Sequence, residues 1–307
     1  MITSCVILNY NDSETTKLLL DKIINYNDLR YIIVVDNKST DDSFSVLEKY
    51  KSEKIHVLLA EHNGGYGYGN NLGIKYAYEV LKSDYILIVN PDVCFSNECV
   101  RELRQVLINE NDCVIATPVP LKPSGDRQEV VAWKLPTANQ EILSASIFLT
   151  RILGSKVTYN PEYFEKKSYC SVDVVQGSML MVDAHIMVKY GMYDEEFFLY
   201  GEEQVLAHKL KENGYKSILL LNQFYVHNHS VSINKTYNSL VKTKQFLLNS
   251  KLLYLKKYLG LKGLKLYFTR GLFRLAIIEM RLISVMKNRV SEVIRQNVDN
   301  LSNRSMR

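Results

Sequence analysis

Short apolar runs, each closed by turn-forming residues, alternate with stretches of helical period through the first third of the chain. Thr3 to Leu8, Tyr31 to Asp36, Ile55 to Ala60, the run ending at Asn90, and Cys113 to Thr117 predict buried strands. Between them, Asp12 or Ser13 can cap one helix, and Thr40-Asp41-Asp42-Ser43 opens another. Asn63 to Gly69 reads as a glycine-rich loop ahead of a helix over Asn70 to Leu81, and Ser96 starts the next helix. This alternation predicts an α/β fold with a mostly parallel sheet and right-handed crossovers.

From Pro118 to Ser171 the pattern loosens around Pro118, Pro120, Pro123, Pro136 and Pro161, as expected of a lid or binding segment. Order returns at Val172 to Ser178. Helices are expected from Asp183 to Tyr190 and from Glu202 to Asn213, then strands over Lys216 to Leu221 and Phe224 to Val226. Beyond Asn234, leucines and aromatics recur at helical spacing with lysines and arginines between them, which describes basic amphipathic helices. The expected division is a main domain over 1–234 and a basic helical extension over 235–307.

Charge sharpens that division. Lys235 to Arg307 holds 16 Lys/Arg against three acids, a net of +13; the rest carries 22 of the 38 basic and 30 of the 33 acidic residues, a net of −8. The extension reads either as helices packed on the main domain with a solvated basic face, as an oligomer contact, or as a docking element for an anionic membrane surface. No nucleic-acid module accompanies it, so no nucleic-acid partner is expected. The length of 307 residues suits one large α/β domain with an appendage, and no apolar run approaches the roughly 20 residues that cross a bilayer. The N-terminus enters a strand directly, without the features of a signal peptide, and the five cysteines form no Cys-x-x-Cys pair. Both point to a cytoplasmic protein with reduced thiols, peripheral on the inner face of the membrane if the tail docks there.

Four polar clusters fall past strand ends, where open α/β sheets bind ligands. They are Asn9-Tyr10-Asn11-Asp12, Asp36-Asn37-Lys38-Ser39, Asn63 to Asn71, and Asn90-Pro91-Asp92-Val93. Each alone is an ordinary turn, and Asp92 alone reads equally as a turn or helix-start residue. On one sheet edge they offer a stacking ring, a base-reading carboxylate, backbone donors for a phosphate and a hard oxygen ligand for a divalent cation. The run Gly65-x-Gly67-x-Gly69 is not a dinucleotide fingerprint, because that motif belongs to the first strand–helix turn, which here has no glycine.

These clusters resemble the inverting nucleotide-sugar glycosyltransferases of family two, with the GT-A fold, and most of all rhamnosyl- and galactofuranosyl-transferases of bacterial surface polysaccharides. The resemblance runs from Ile2 to about Ile233. It continues through Gln176-Gly177-Ser178, Gly191-Met-Tyr-Asp194, Tyr200-Gly-Glu202-Glu203 and His227-x-His229-Ser230-x-Ser232. It implies transfer of a sugar from a UDP- or dTDP-linked donor to a growing glycan or lipid-linked glycan. Tyr10 and Asp36, with Asn9 and Asn11, would hold the base, and Asn63, Gly65, Asn70 and Asn90 would lie along the donor. Asp92 matches the family's DXD position and would bind Mg²⁺ or Mn²⁺, with Asn90 in place of the first carboxylate and His227 or His229 as a further ligand. Glu202-Glu203 matches an acid pair at a helix start, whose second member is the usual base. That second position is typically aspartate, and Val205 stands where many relatives carry another acid, so either glutamate fits the role. Both glutamates equally suit a helix N-terminus. A non-catalytic glycan- or nucleotide-binding module on the same fold is the alternative; a sugar-nucleotide pyrophosphorylase would need a glycine-rich basic loop after the first strand, which is absent.

Overall fold

The computed structural model describes residues 1–153, 157–228 and 240–305. By its internal contacts the chain divides into two units, Met1–Pro136 with Val157–Thr236 and Thr137–Lys156 with Tyr237–Arg307.

The first unit is built on strands β1 (Thr3–Asn9), β2 (Tyr31–Asp36), β3 (Ile55–Leu59), β4 (Tyr85–Val89), β5 (Val93–Cys94), β6 (Cys113–Leu121), β7 (Ala132–Trp133), β8 (Tyr169–Val172), β9 (Val174–Val175), β10 (Met179–Asp183) and β11 (Lys216–His227). The main sheet runs β3-β2-β1-β4-β10-β6-β11-β5, with β8 also paired to β11. Strands β3, β2, β1 and β4 are mutually parallel. β10 runs antiparallel between β4 and β6, and β11 is parallel to β6. The apolar runs are buried on both faces because alternate side chains feed two cores. Cys5, Ile7, Ile32 and Val34 enter one, and Val6, Ile33 and Val35 the other.

Three elements depart from the expected pattern. The central strand β10 sits where only a short motif was legible, since five apolar residues between a glycine turn and a helix fit several conformations. The expected strands over 216–221 and 224–226 are one strand, β11, with a register shift between Leu220 and Phe224. That irregularity lets its first half pair with β8 and its end with β5.

The third departure is the glycine run. It is no loop: the helix starts at Gly65 and runs to Lys75, followed by a π-turn over Tyr76–Val80. The glycines allow close packing rather than a phosphate cradle. A Cβ on Gly73 would lie 2.5 Å from Val6 Cγ1, and one on Gly69 would lie 2.3 Å from Leu8 Cδ1. Two of the first N–H groups are already engaged, Gly65 with Asn63 Oδ1 at 3.1 Å and Tyr66 with the Phe198 carbonyl at 3.1 Å. Gly65 itself has φ +87°, and a Cβ there would stand 2.1 Å from the Phe198 carbonyl oxygen. Gly65→Ala is therefore expected to cost about 2 kcal/mol or more through left-handed strain and this clash. Urea unfolding reads that loss, and an unshifted midpoint would show that the loop carrying Phe198 simply yields.

The second unit is helical over Ala138–Leu143, Ile147–Leu153, Leu240–Lys257 and Gly263–Ser305. Its core gathers Ala145, Leu248, Leu255, Leu261, Phe273 and Ala276. Part of the proline-punctuated stretch thus belongs here as helix, opened by a capping box between Thr137 and Gln140. The buried Glu141 carboxylate is held by Lys251 Nζ at 2.7 Å, and Lys251 also donates to Ser144 Oγ at 2.9 Å.

Candidate functional site

The ends of β1, β2 and β4 bring the polar clusters to one edge of the first unit, where many of their side chains are spent on building the edge itself. Asn9 and Asp36 are fully buried. Asn9 Nδ2 donates to Asp36 Oδ2 at 2.9 Å, and Asn9 Oδ1 accepts from Thr16 Oγ1. Asp36 also accepts from the Ser39 amide at 2.8 Å and the Ser39 hydroxyl at 2.7 Å. Asn11, left-handed at φ 52°, exchanges hydrogen bonds with Thr40 and takes Ser39 Oγ on its amide. This lattice locks the first two loops together and leaves the half-buried Tyr10 beside it. Asn63 accepts from Asn37 Nδ2 at 3.0 Å, tying the third loop to the second. Asn70 is buried inside the glycine helix and donates to the Tyr66 carbonyl at 3.0 Å.

Asp92 follows Pro91, which ends β4 by fixing its own φ and disfavouring helix at Asn90. The short strand β5 then pairs antiparallel with the end of β11, with His227 opposite Val93. That pairing places His227 Nε2 3.2 Å from Asp92 Oδ1, and both side chains are buried. Asp92 is further pinned through its carbonyl, which accepts from the Asn228 amide at 3.0 Å. His229 lies outside the described residues. Among the described residues no group of three or more His, Cys, Asp or Glu side chains converges as a cation cage. The Asp92–His227 pair does suit a hexacoordinate cation completed by ligand phosphates and water. Adjacent ligands of an octahedral Mg²⁺ or Mn²⁺ stand about 3 Å apart, and such ions keep waters while using one or two carboxylates.

The acid pair opens the helix Glu202–Glu212, behind Gly201 in the left-handed conformation. Glu203 Oε1 accepts from the Gly177 amide at 3.3 Å, and a Cβ on Gly177 would come within 2.9 Å of it. The Gly177 carbonyl in turn accepts from Tyr66 Oη at 2.7 Å, so both backbone polar groups of Gly177, on its two flanking peptides, are engaged by side chains. Next along, the Ser178 carbonyl accepts the Asn90 amide at 2.9 Å, and Ser178 Oγ shares a 2.6 Å hydrogen bond with Tyr225 Oη. Burial pushes the Tyr225 phenol up, and the charges of Asp92 and Glu203 both add to that shift. Tyr225 thus joins the two groups: its hydroxyl meets Ser178, next to the Gly177 that Glu203 holds, and its ring lies 6.4 Å from that of His227.

Burial likewise raises the carboxyls of Glu202 and Glu203. Glu202 is pushed up to about 8, with the neighbouring Glu203 charge as the second cause. Its Oε1 is buried without a hydrogen-bond partner among the described residues. The arrangement offers a cation pair, a raised carboxylate oriented by a backbone N–H, and an open polar edge lined by Tyr10 and the Asn90 strand end.

Tyr66, Ser178 and Tyr225 escape a reading by residue type, because a hydroxyl on a packed aromatic or a turn serine carries no spacing signal. Asn71 escapes it too. Its amide donates to the Tyr193 carbonyl and to Glu195 Oε1, and its Oδ1 accepts from the Tyr193 amide. The motif Asn70-Asn71 was visible, but not which of the two would reach across to the 193–195 segment.

Comparison with known proteins agrees with this architecture. A family model described as Glycosyl transferase family 2 matches residues 4–153. The low-salt glycan biosynthesis hexosyltransferase Agl10 of Haloferax volcanii is 27% identical over 65% of this chain and 58% of its own length. The dTDP-rhamnosyl transferase RfbF of Shigella flexneri is 26% identical over 63% of this chain and 58% of its own. The matched part of the chain therefore spans less than two thirds of either relative. In fold, a crystal structure of GalNAc-T7 with UDP, GalNAc and Mn²⁺ superposes with a TM-score of 0.62 at 13% identity, covering 83% of this chain and 48% of that one. Residues 4–153 thus match the glycosyl transferase family 2 model, and the parallel β3-β2-β1-β4 half-sheet with its polar edge gives the chain the GT-A fold of these neighbours.

Proposed function

We propose that this protein is a divalent-cation-dependent, inverting glycosyltransferase. It moves a sugar from a UDP- or dTDP-linked donor to a growing cell-surface polysaccharide or lipid-linked glycan, working at the inner face of the membrane. The observation that carries this reading is the convergence of Asp92, His227 and Glu203 around Tyr225 and Ser178. The Haloferax and Shigella relatives, named as a hexosyltransferase and a dTDP-rhamnosyl transferase, support the sugar chemistry, and the GalNAc-T7 complex supports the UDP and Mn²⁺.

Asp92 and His227 would hold the Mg²⁺ or Mn²⁺, which supplies Lewis-acid neutralisation of charge on the departing diphosphate. Tyr10 offers a ring to the base, while Asn9, Asn11 and Asp36 keep its loop in place. Asn63, Gly65, Asn70 and Asn90 shape the donor side. Glu203 takes the proton of the acceptor hydroxyl as its oxygen attacks the anomeric carbon. The new C–O bond forms on the face opposite the leaving group, and the electron pair of the old bond departs with the nucleoside diphosphate. Direct displacement of this kind inverts the anomeric centre.

A panel of UDP- and dTDP-sugars with Mn²⁺, scored first by thermal stabilisation and then by release of free nucleotide with an acceptor extract, tests the reading. Stabilisation and release by the same donor support a transferase. Stabilisation without release would leave a binding module, and no response to any donor would remove the proposal altogether.

A further inference from the structure

We propose that the helix beginning at Gly263 lies along an anionic lipid surface through its solvent-exposed apolar face, an inference that rests on the membrane placement above and specifies its contact. This helix is apolar on two opposite sides. Phe273 and Ala276 are buried in the helical unit's own core with Leu248 and Leu255. On the other side Leu264, Phe268, Leu275 and Leu282 are 77%, 69%, 63% and 62% exposed. At 3.6 residues per turn, these four and Ile278 project within an arc of about 80°, roughly opposite Phe273. Phe148, itself exposed, is tethered beside this face by its amide, which donates to Glu279 Oε1 at 2.9 Å. An apolar stripe this continuous calls for a cover.

Charge selects the cover. From Gly263 to Val285 the helix carries Lys265, Arg270, Arg274 and Arg281, with Lys262 just before it, against the single acid Glu279, already engaged by the Phe148 amide. Arg270, Arg274 and Arg281 follow one border of the apolar arc. Face-to-face pairing with a second copy would gather these like charges, whereas anionic headgroups complement them. Long cationic side chains bordering an apolar stripe suit a helix lying at a bilayer interface, with heads in the headgroup layer and stems along the apolar boundary. Among the described residues no helix is long and apolar enough to cross a membrane, so the helix lies on the surface.

The test is sedimentation of the full-length chain with vesicles of phosphatidylcholine, with and without phosphatidylglycerol. The expected result is pelleting on the anionic vesicles only. Replacing Arg270, Arg274 and Arg281 together by Gln should weaken partitioning about a hundredfold, at about 1 kcal/mol per basic residue. Leu275→Glu should weaken it by about tenfold or more through loss of one inserted apolar side chain. Leu275 is exposed, so its variant should melt with the wild type, which separates lost binding from lost folding. A wild-type chain that stays in the supernatant sinks both this inference and the membrane placement. Equal pelleting of wild type and variants sinks only the assigned face. A dimer in light scattering that Leu275→Glu disperses would make a second copy the occupant and overturn the proposal. Nucleotide release, assayed separately on soluble acceptor, reports on sugar transfer regardless of these outcomes.

Discussion

Asp92→Asn should reduce sugar transfer by about two to three orders of magnitude and abolish tight Mn²⁺ binding measured by calorimetry. Asn90 contributes an amide and His227 an imidazole, so the negative charge of the set is that of Asp92. An amide at position 92 keeps the shape and removes the charge. Several kcal/mol of leaving-group stabilisation depend on a bound cation, and each 1.36 kcal/mol is a factor of ten in rate. The fold should survive, because the backbone contact at this position is the Asp92 carbonyl with the Asn228 amide, which the substitution leaves in place. A melting temperature close to wild type, combined with lost Mn²⁺ binding, would tie the defect to the cation. Near wild-type turnover at saturating Mn²⁺ would remove Asp92 from the site.

Glu203→Gln should lose transfer by a factor of about a hundred to ten thousand, the usual worth of a general base, while still binding donor in calorimetry. Glu203 is oriented by the Gly177 amide, and the adjoining Ser178 carbonyl holds Asn90, so its carboxylate is tied to the end of β4. Burial raises its carboxyl, so the proton-accepting form grows as pH rises, and transfer should climb on the acid side of the profile. Glu202 behaves differently. Its carboxyl is pushed from 4.5 up to about 8, so the folded chain binds this proton more tightly than the unfolded chain does. Between those two values the native state holds more protons, and stability therefore falls as pH rises through the window. Glu202→Gln should flatten that dependence, read by melting at about pH 5 and about pH 8, and should retain transfer. If Glu202→Gln is instead the inactive variant with normal donor affinity, the base is Glu202.

Much of the sheet half formed by β1 to β4 is written locally. The strands at Thr3, Tyr31, Ile55 and Tyr85 announce themselves as apolar runs with defined ends, because residues buried on both faces of a parallel sheet tolerate little else. Their ends carry the polar clusters for the same reason, since a chain leaving a buried strand must turn with Asn, Asp, Gly or Pro. The glycine run shows the limit of that logic. Glycine's composition signals a turn, yet here it marks a helix pressed onto Val6 and Leu8, and only the facing side chains distinguish the two.

The sequence by itself therefore determined the alternating elements, the order of the polar clusters, the basic character of the tail and the family they resemble. The tertiary structure alone decided what those residues meet. Insertion of β10 between β4 and β6, and closure of β5 on the end of β11, bring His227 against Asp92 from far along the chain. The hydrogen bonds of Tyr66 and Glu203 to the carbonyl and amide of Gly177, and the burial of Asp36 in its own loop lattice, arise the same way. The physical reason is one of range. Backbone preference and hydrophobic period act over a few residues, while strand pairing and side-chain hydrogen bonds join residues whose separation leaves no periodic trace.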